Sequence, residues 1–155
     1  MSTLNHNTFQ LTREYPVPPA TVFAHFSDET LKRKWFGGDE GWTEIAHEMD
    51  FRVGGAEYDE GRFEGDDGVA FTSRFDAVYH DIVEDQRLVY SYDMHVNGVH
   101  LSVSVASIEL TPTAGGTLLT LTEQGVYFDG HEDPALREQG TKDLLESLGR
   151  ALAAA

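Results

Sequence analysis

The dipeptide Asn97-Gly98 constrains the fold of this chain more than any other sequence feature. Asn and Gly readily adopt the positive φ angles that a two-residue hairpin turn requires. The flanking segments, 86–96 and 99–111, alternate apolar with polar residues, as strands with one covered face do. The sequence therefore predicts an antiparallel hairpin around this turn, with one face buried and the other in water.

A two-residue turn also predicts the register of the hairpin, because residues whose numbers sum to 195 then face each other. On the apolar face, the predicted pairs are Met94 with Leu101, Tyr92 with Val103, Tyr90 with Val105 and Leu88 with Ser107. On the polar face, they are His95 with His100, Asp93 with Ser102 and Ser91 with Ser104. We therefore expect Tyr90 and Tyr92 to lie on the covered face.

Further strands are predicted on either side of this hairpin. Segments rich in β-branched and aromatic residues alternate with turn sequences such as EGDDG and TPTAGG. The predicted strands cover residues 8–14, 42–51, 55–64, 69–80, 86–96, 99–111 and 117–127. Such short connections favour an antiparallel meander.

Three helices complete the pattern. Pro18 and Pro19 suit the first turn of one helix, and residues 28–36 predict a second, with acidic residues early and basic residues late. Asp133 and Pro134 suit the start of a long third helix. Its apolar stripe comprises Leu136, Gly140, Thr141, Leu144, Leu145, Leu148 and Leu152. We predict an α+β helix-grip fold, in which a curved antiparallel sheet wraps around this long C-terminal helix, with two short helices after the first strand.

The adjacent glycines Gly54 and Gly55, within FRVGGAEYDEGRF, allow two interpretations. A phosphate-binding loop would need a GxxxxGK[ST] pattern and a following helix, and the sequence predicts neither. A bend at a sheet corner needs glycine for its backbone freedom. We favour the bend.

Composition limits the partners of this chain. Its 155 residues carry a net charge of −16, which repels phosphate backbones, so no nucleic-acid partner is expected. No segment approaches the ~18 apolar residues of a membrane span, and the absence of cysteine excludes disulfides. We expect a flexible segment over 1–7, one domain over 8–153 and a cytoplasmic location.

Several stretches carry a family resemblance: REYPVPPATVFAHFSDETLKRKWF, MDFRVGG, RLVYSYDM, LTEQGVYFDG and REQGTKDLLESL. Together they resemble the START-like (SRPBCC, helix-grip) superfamily. More narrowly, they resemble the branch named after the activator of the heat-shock-protein-90 ATPase, whose members often carry polyketide-cyclase-like labels. The resemblance implies a cavity between the sheet and the C-terminal helix that takes a hydrophobic or aromatic, lipid- or polyketide-like molecule.

Four polar side chains are candidate anchors for such a ligand. Glu123 continues the period-two pattern of the preceding leucines, so it either faces inward with a raised pKa or lies wetted at the rim. Glu57 either reaches the cavity or pairs with Arg62 of the same hairpin. Tyr90 and Tyr92 offer ring surface and hydroxyl groups, or pack as ordinary core.

Apolar candidates and histidines complete the set. Trp35 and Phe36 would close one end of the cavity, and Leu144 and Leu148 would form part of its helix wall; core packing is the alternative for each. The facing pair of His95 and His100 lies on the solvated face, and we interpret it as incidental. No metal and no cofactor are expected.

Three functions remain open at this point. Binding of the hydrophobic molecule is favoured. An enzyme, such as a cyclase, dehydratase or hydrolase, would use Glu123 as general acid or base. A regulator of a chaperone ATPase, acting as a protein-interaction module, is what the branch name implies, and it ranks third. The sequence leaves open whether the chain forms a homodimer.

Overall fold

The structure, a computed structural model, describes residues 2–37 and 40–154. Its strands are β1 (Leu4–Tyr15), β2 (Trp42–Met49), β3 (Ala56–Glu64), β4 (Ala70–Val83), β5 (Arg87–Val96), β6 (Val99–Thr113) and β7 (Gly116–Phe128). Its helices are α1 (Pro19–Ser27), α2 (Glu29–Lys32) and α3 (Pro134–Ala154). The strands form one curved, open antiparallel sheet in the order β1-β7-β6-β5-β4-β3-β2, which confirms the predicted α+β helix-grip fold.

The meander from β2 to β7 follows from its turns. Gly54, at φ +84°, lies in the turn between β2 and β3, where a Cβ atom on Gly55 would lie 2.1 Å from the carbonyl oxygen of Asp50. The pair therefore makes a sheet corner, as predicted. Asn97 and Gly98 have φ angles of 50° and 78° and join β5 to β6.

The predicted register of the β5–β6 hairpin is wrong beyond its first two pairs. His95 does pair with His100, but a bulge follows, and Tyr92 then pairs with Ser104 and Tyr90 with Ala106. The extra residue in β6 is Leu101, which is buried. The bulge therefore turns serines of β6 toward the helices. Tyr90 and Tyr92 remain on the covered face, as predicted.

β1 is longer than predicted. Residues 4–7, expected to be flexible, instead pair with residues 125–128 of β7. The pairing continues through Phe9 and Leu11, whose side chains are buried. This long ladder places β1 at one edge of the sheet, and β2 forms the other edge.

The short helices lie on the side of the sheet that we call the inner face. α1 begins at Pro19, as predicted, and buries Val22, Phe23 and Phe26. α2 is shorter than the predicted 28–36. It begins at Glu29 and is capped by Asp28, whose Oδ1 accepts from the amide of Leu31 at 3.0 Å.

α3 crosses the inner face, and its stripe is only partly as predicted. Asp133 accepts from the amide of Ala135 at 3.0 Å, which confirms the predicted cap. Leu145, Leu148 and Leu152 are buried in the core with residues of α1, β1 and β7. Leu136, by contrast, is 67% exposed. In the first turns of α3, the inward positions belong to Arg137 and Thr141, because Arg137 finds polar partners on the sheet.

Candidate functional site

A strip of aromatic rings runs across the inner face beside α3. Phe36 lies 5.0 Å from Phe75, Phe75 lies 4.9 Å from Tyr92, and Tyr92 lies 6.1 Å from Tyr90, measured between ring centroids. Phe36, Phe75 and Tyr90 are only half-buried, whereas Tyr92 is buried. We call these four residues the aromatic strip. It presents ring surface that the described residues leave partly uncovered.

The hydroxyl of Tyr90 makes no hydrogen bond to any residue within 2–37 and 40–154. Burial raises the pKa of Tyr90, and the nearby carboxylates of Glu123 and Glu57 raise it further. The hydroxyl therefore stays protonated at neutral pH and can donate a hydrogen bond. This leaves one donor on the strip free for a partner.

A buried ion-pair cluster borders one end of the strip. The Lys32 ammonium lies 2.5 Å from Oε1 of Glu57, the Tyr79 hydroxyl donates to the same oxygen, and Nε2 of His47 lies 3.7 Å from Oε2. We call these four residues the Glu57 cluster. The Lys32 ammonium also lies 4.6 Å from the ring centroid of Phe36. The cluster thus joins α2 to three strands of the sheet.

Electrostatics keeps Glu57 ionised despite its burial. Desolvation is the largest influence and raises the pKa of Glu57, but the Lys32 ammonium, the nearby His47 imidazole and hydrogen bonds from Lys32 and Tyr79 lower it to about 2. The nearby Glu57 carboxylate raises the pKa of His47 in turn. The predicted alternative pairing with Arg62 is wrong, because Arg62 is exposed and Glu57 is paired with Lys32.

A second polar cluster lies where α3 meets the sheet. The Tyr92 hydroxyl donates to Oε2 of Glu123 at 2.8 Å and accepts from Nη1 of Arg137 at 3.1 Å. Arg137 also donates to Ser102 at 2.9 Å and pairs with Glu132, with Nε 2.8 Å from Oε2. We call these five residues the Glu123 cluster. It connects the first turns of α3 to three adjacent strands.

Glu123 faces inward, which decides between the two predicted alternatives. The residue is 3% exposed, so it does not lie wetted at the rim. Burial raises its pKa, while the Tyr92 hydroxyl and the Arg137 charge lower it by less. Burial also raises the pKa of Tyr92 well above its usual value. A carboxyl group with these neighbours can exchange a proton closer to neutral pH than a solvated one can.

The remaining candidate residues take different places. Trp35 is buried in the core, where Nε1 donates to the carbonyl of His25 at 2.9 Å. Leu148 is completely buried, and Leu144 is half-buried against the core. Thus Phe36 and Tyr90 expose surface on the inner face, whereas Trp35 and Leu148 pack as core. Their role toward a ligand stays a prediction.

Sequence reasoning missed several residues of both clusters. No sequence motif marks four of these residues, which are Lys32, His47, Tyr79 and Arg137. A lysine or arginine in a short or amphipathic helix is most often exposed to solvent. Phe75 alternates with polar residues in the predicted strand 69–80, so period-two patterning was the one signal that could have placed it on the strip.

The outer face carries the histidine pair. The rings of His95 and His100 stack at 4.5 Å with an interplanar angle of 10°. Among the residues that the structure describes, no group of three His, Asp or Glu side chains is arranged to hold a metal ion. None of the described helices has the length and apolar character needed to cross a membrane.

Comparison with known proteins gives both a family and close structural relatives. The family model described as Activator of Hsp90 ATPase homolog 1-like protein matches residues 16–153. A protein from Rhizobium leguminosarum is 32% identical, with a TM-score of 0.91 over 100% of this chain and 99% of that one. Protein Mll3558 from Rhizobium loti is 42% identical, with a TM-score of 0.84 over 96% and 99% of the two chains.

A more distant structure shares the fold alone. DynU16, a protein of the dynemicin biosynthetic locus, is 20% identical, with a TM-score of 0.65 over 94% of this chain and 47% of that one. A comparison with curated proteins finds no match.

Proposed function

The chain belongs to the family of Activator of Hsp90 ATPase homolog 1-like proteins, and we propose that it binds a hydrophobic or aromatic small molecule, lipid- or polyketide-like, on the aromatic strip. One observation carries this proposal: the described residues leave the rings of Phe36, Phe75 and Tyr90 partly uncovered, and the Tyr90 hydroxyl has no hydrogen-bond partner among them. Ordinary core packing would cover such rings, since each Å² of apolar surface removed from water stabilises by about 25 cal/mol.

The two clusters support an aromatic ligand with polar substituents. The Glu57 cluster approaches the strip at Phe36, and the Glu123 cluster contributes the ring of Tyr92 to the strip itself. A ligand lying over Phe75 would place its ends near one cluster or the other. Small-molecule sites commonly combine apolar walls with a few such polar groups. A hydroxylated polycyclic aromatic combines ring surface with polar substituents, so it is a suitable first probe.

Fluorescence titration tests this proposal. Trp35 lies 5.7 Å from Phe36, so a ligand on the strip should quench tryptophan emission. We expect saturable, one-to-one quenching by 1,8-dihydroxyanthraquinone, and competition from a fatty acid if the site is lipid-like. Emission that changes linearly with ligand concentration would contradict a defined site.

A second candidate function is acid–base catalysis by Glu123. The observation that favours it is the inward carboxyl group with its raised pKa, hydrogen-bonded to Tyr92. Such a group is suited to move a proton on a ligand bound over the strip. The test is turnover of a hydroxylated aromatic by the wild type and by Glu123→Gln. Loss of turnover with retained binding would support catalysis, and equal turnover would exclude Glu123 as the acid or base.

A further inference from the structure

A cavity of about 360 Å³ lies on the outer face of the sheet, opposite the helices. Its lining residues are Glu60, Thr72, Arg74, Asp76, His95, Asn97 and Gly98. Phe75, between two of these residues in β4, belongs to the aromatic strip on the other face, so the sheet separates this cavity from the strip. Its volume is in the range of small-molecule sites.

The floor of the outer cavity is an internally neutralised pair. Nε and Nη2 of Arg74 donate to the two carboxylate oxygens of Asp76 at 2.7 and 3.1 Å, and the guanidinium group lies 4.4 Å from the ring centroid of Tyr58. Arg74 therefore has its charge and its stacking surface occupied. It contributes shape to the cavity and little net charge.

The walls carry groups with unused binding capacity. Glu60 and His95 both stand opposite Arg74 in the strand ladders, so they are two strands apart, roughly 10 Å. Glu60 accepts from the Tyr58 hydroxyl at 2.7 Å and makes no ion pair with any residue of the described segments. Arg74 carries the one positive charge beside the two carboxylates of Glu60 and Asp76, so a net negative charge remains at this side of the cavity.

The opposite wall offers hydrogen bonds instead of charge. Nδ1 of His95 is buried and has no hydrogen-bond partner among the described residues. The side-chain oxygen of Asn97 accepts from the amide of Thr72 at 3.0 Å, which leaves its NH₂ group to donate. The stack of His95 on His100 holds this wall in place.

We propose that this outer cavity binds a small organic cation that carries hydroxyl groups, such as an amino sugar or amino alcohol. The ammonium group pairs with Glu60, and the hydroxyl groups bind His95 and the NH₂ group of Asn97. The net charge of −16 concentrates cations around the protein. This site is independent of the ligand proposed for the aromatic strip, so each can fail without the other.

An NMR titration of the full chain with glucosamine tests the site, with glucose as the uncharged comparison. We expect saturable amide shifts centred on Thr72, Asn97 and Gly98 with glucosamine, and at least tenfold weaker binding of glucose, because a charge-assisted hydrogen bond is lost. Glu60→Gln should weaken glucosamine binding about tenfold. His95→Gln should weaken the binding of both glucosamine and glucose, since the substitution changes the side chain that binds their hydroxyl groups.

Glu14→Gln is the matched control, because Glu14 is exposed on β1 at the sheet edge beyond β7. It should leave glucosamine affinity unchanged. Equal affinities for glucose and glucosamine, or equal losses in Glu60→Gln and Glu14→Gln, would overturn the proposal in favour of non-specific attraction. Shifts absent from Thr72, Asn97 and Gly98 would also overturn it.

Discussion

The ammonium of Lys32 lies 2.5 Å from Oε1 of Glu57, and the two side chains are only 6% and 1% exposed. Removing one member of a buried ion pair leaves the other charge without compensation, which typically destabilises by about 3–5 kcal/mol. The pair joins a one-turn helix to the sheet and is held by Tyr79 and His47. Its integrity should therefore control the stability of the whole chain.

Lys32→Met should lower the free energy of unfolding by about 3–5 kcal/mol, measured by urea denaturation. Lys34→Met is the control, because Lys34 is exposed and makes no ion pair within the described segments; it should change stability by less than about 0.5 kcal/mol. The double variant Lys32→Met/Glu57→Leu should recover part of the loss, since no unpaired charge remains. Equal stability of the two lysine variants would contradict this assignment.

Stability should fall in acid because of Glu57. Its pKa is lowered from 4.5 to about 2 in the folded chain, so the unfolded chain binds the proton more tightly. The contribution is complete above about pH 4.5 and is lost as the pH falls toward about 2. Urea denaturation across this range should show a steeper loss for the wild type than for Lys32→Met/Glu57→Leu. An equal dependence of stability on pH in the two proteins would show that Glu57 is not responsible for the loss of stability in acid.

Gly125 should not tolerate a side chain, because a Cβ atom there would lie 2.7 Å from Oγ of Ser104 and 3.1 Å from the Tyr127 ring. Gly125→Ala should destabilise by about 1–3 kcal/mol through overpacking. Gly140 is the matched control: it lies in α3 with open space around its Cβ position. Gly140→Ala should stabilise by about 0.5–1 kcal/mol. Thermal unfolding measures the stability of both variants. A Gly125→Ala variant that is more stable than Gly140→Ala would contradict the close packing around Gly125.

Arg137 should hold the first turns of α3 on the sheet. Its partners Tyr92, Ser102 and Glu132 lie outside α3, and its side chain is 10% exposed. Arg137→Met should destabilise by about 2–4 kcal/mol and should raise amide exchange over residues 134–142. The C-terminal half of α3 should stay protected, because its leucines are buried.

Arg87→Met provides the comparison for Arg137. Arg87 forms an ion pair with Asp81, and the two side chains are 57% and 41% exposed. Losing this pair should lower the free energy of unfolding by less than about 1 kcal/mol. Uniform amide exchange along α3 in Arg137→Met would show that this residue does not anchor the first turns.

Turn chemistry and alternation predicted most of the fold. Two connections between strands are predicted correctly by Asn97-Gly98 and Gly54-Gly55, and the start of α3 is predicted correctly by Asp133-Pro134. The bulge at Leu101 was not predictable from alternation, because Val103 and Val105 make an equally regular apolar series. β6 turns Ser102 inward instead, since Arg137 is there to bond it.

The site was predicted less completely, because buried charges leave no local pattern. Glu57 and Glu123 were singled out, but their partners Lys32 and Arg137 come from helices distant in sequence. The inner face of a helix is predicted from the spacing of its apolar residues. This spacing predicts that Leu136 faces inward, and it gives no reason to expect Arg137 there. Only the packing of α2 and α3 on the sheet reveals these pairings.

The most direct test of a ligand site on the aromatic strip compares the wild type with Tyr90→Phe in binding 1,8-dihydroxyanthraquinone. The substitution removes one hydroxyl, and Tyr58→Phe on the outer face is the control. We predict about tenfold weaker binding for Tyr90→Phe, because a hydrogen bond worth about 1.5 kcal/mol is lost, and unchanged binding for Tyr58→Phe. Equal affinities for wild type and Tyr90→Phe, or no saturable binding to either, would contradict the account.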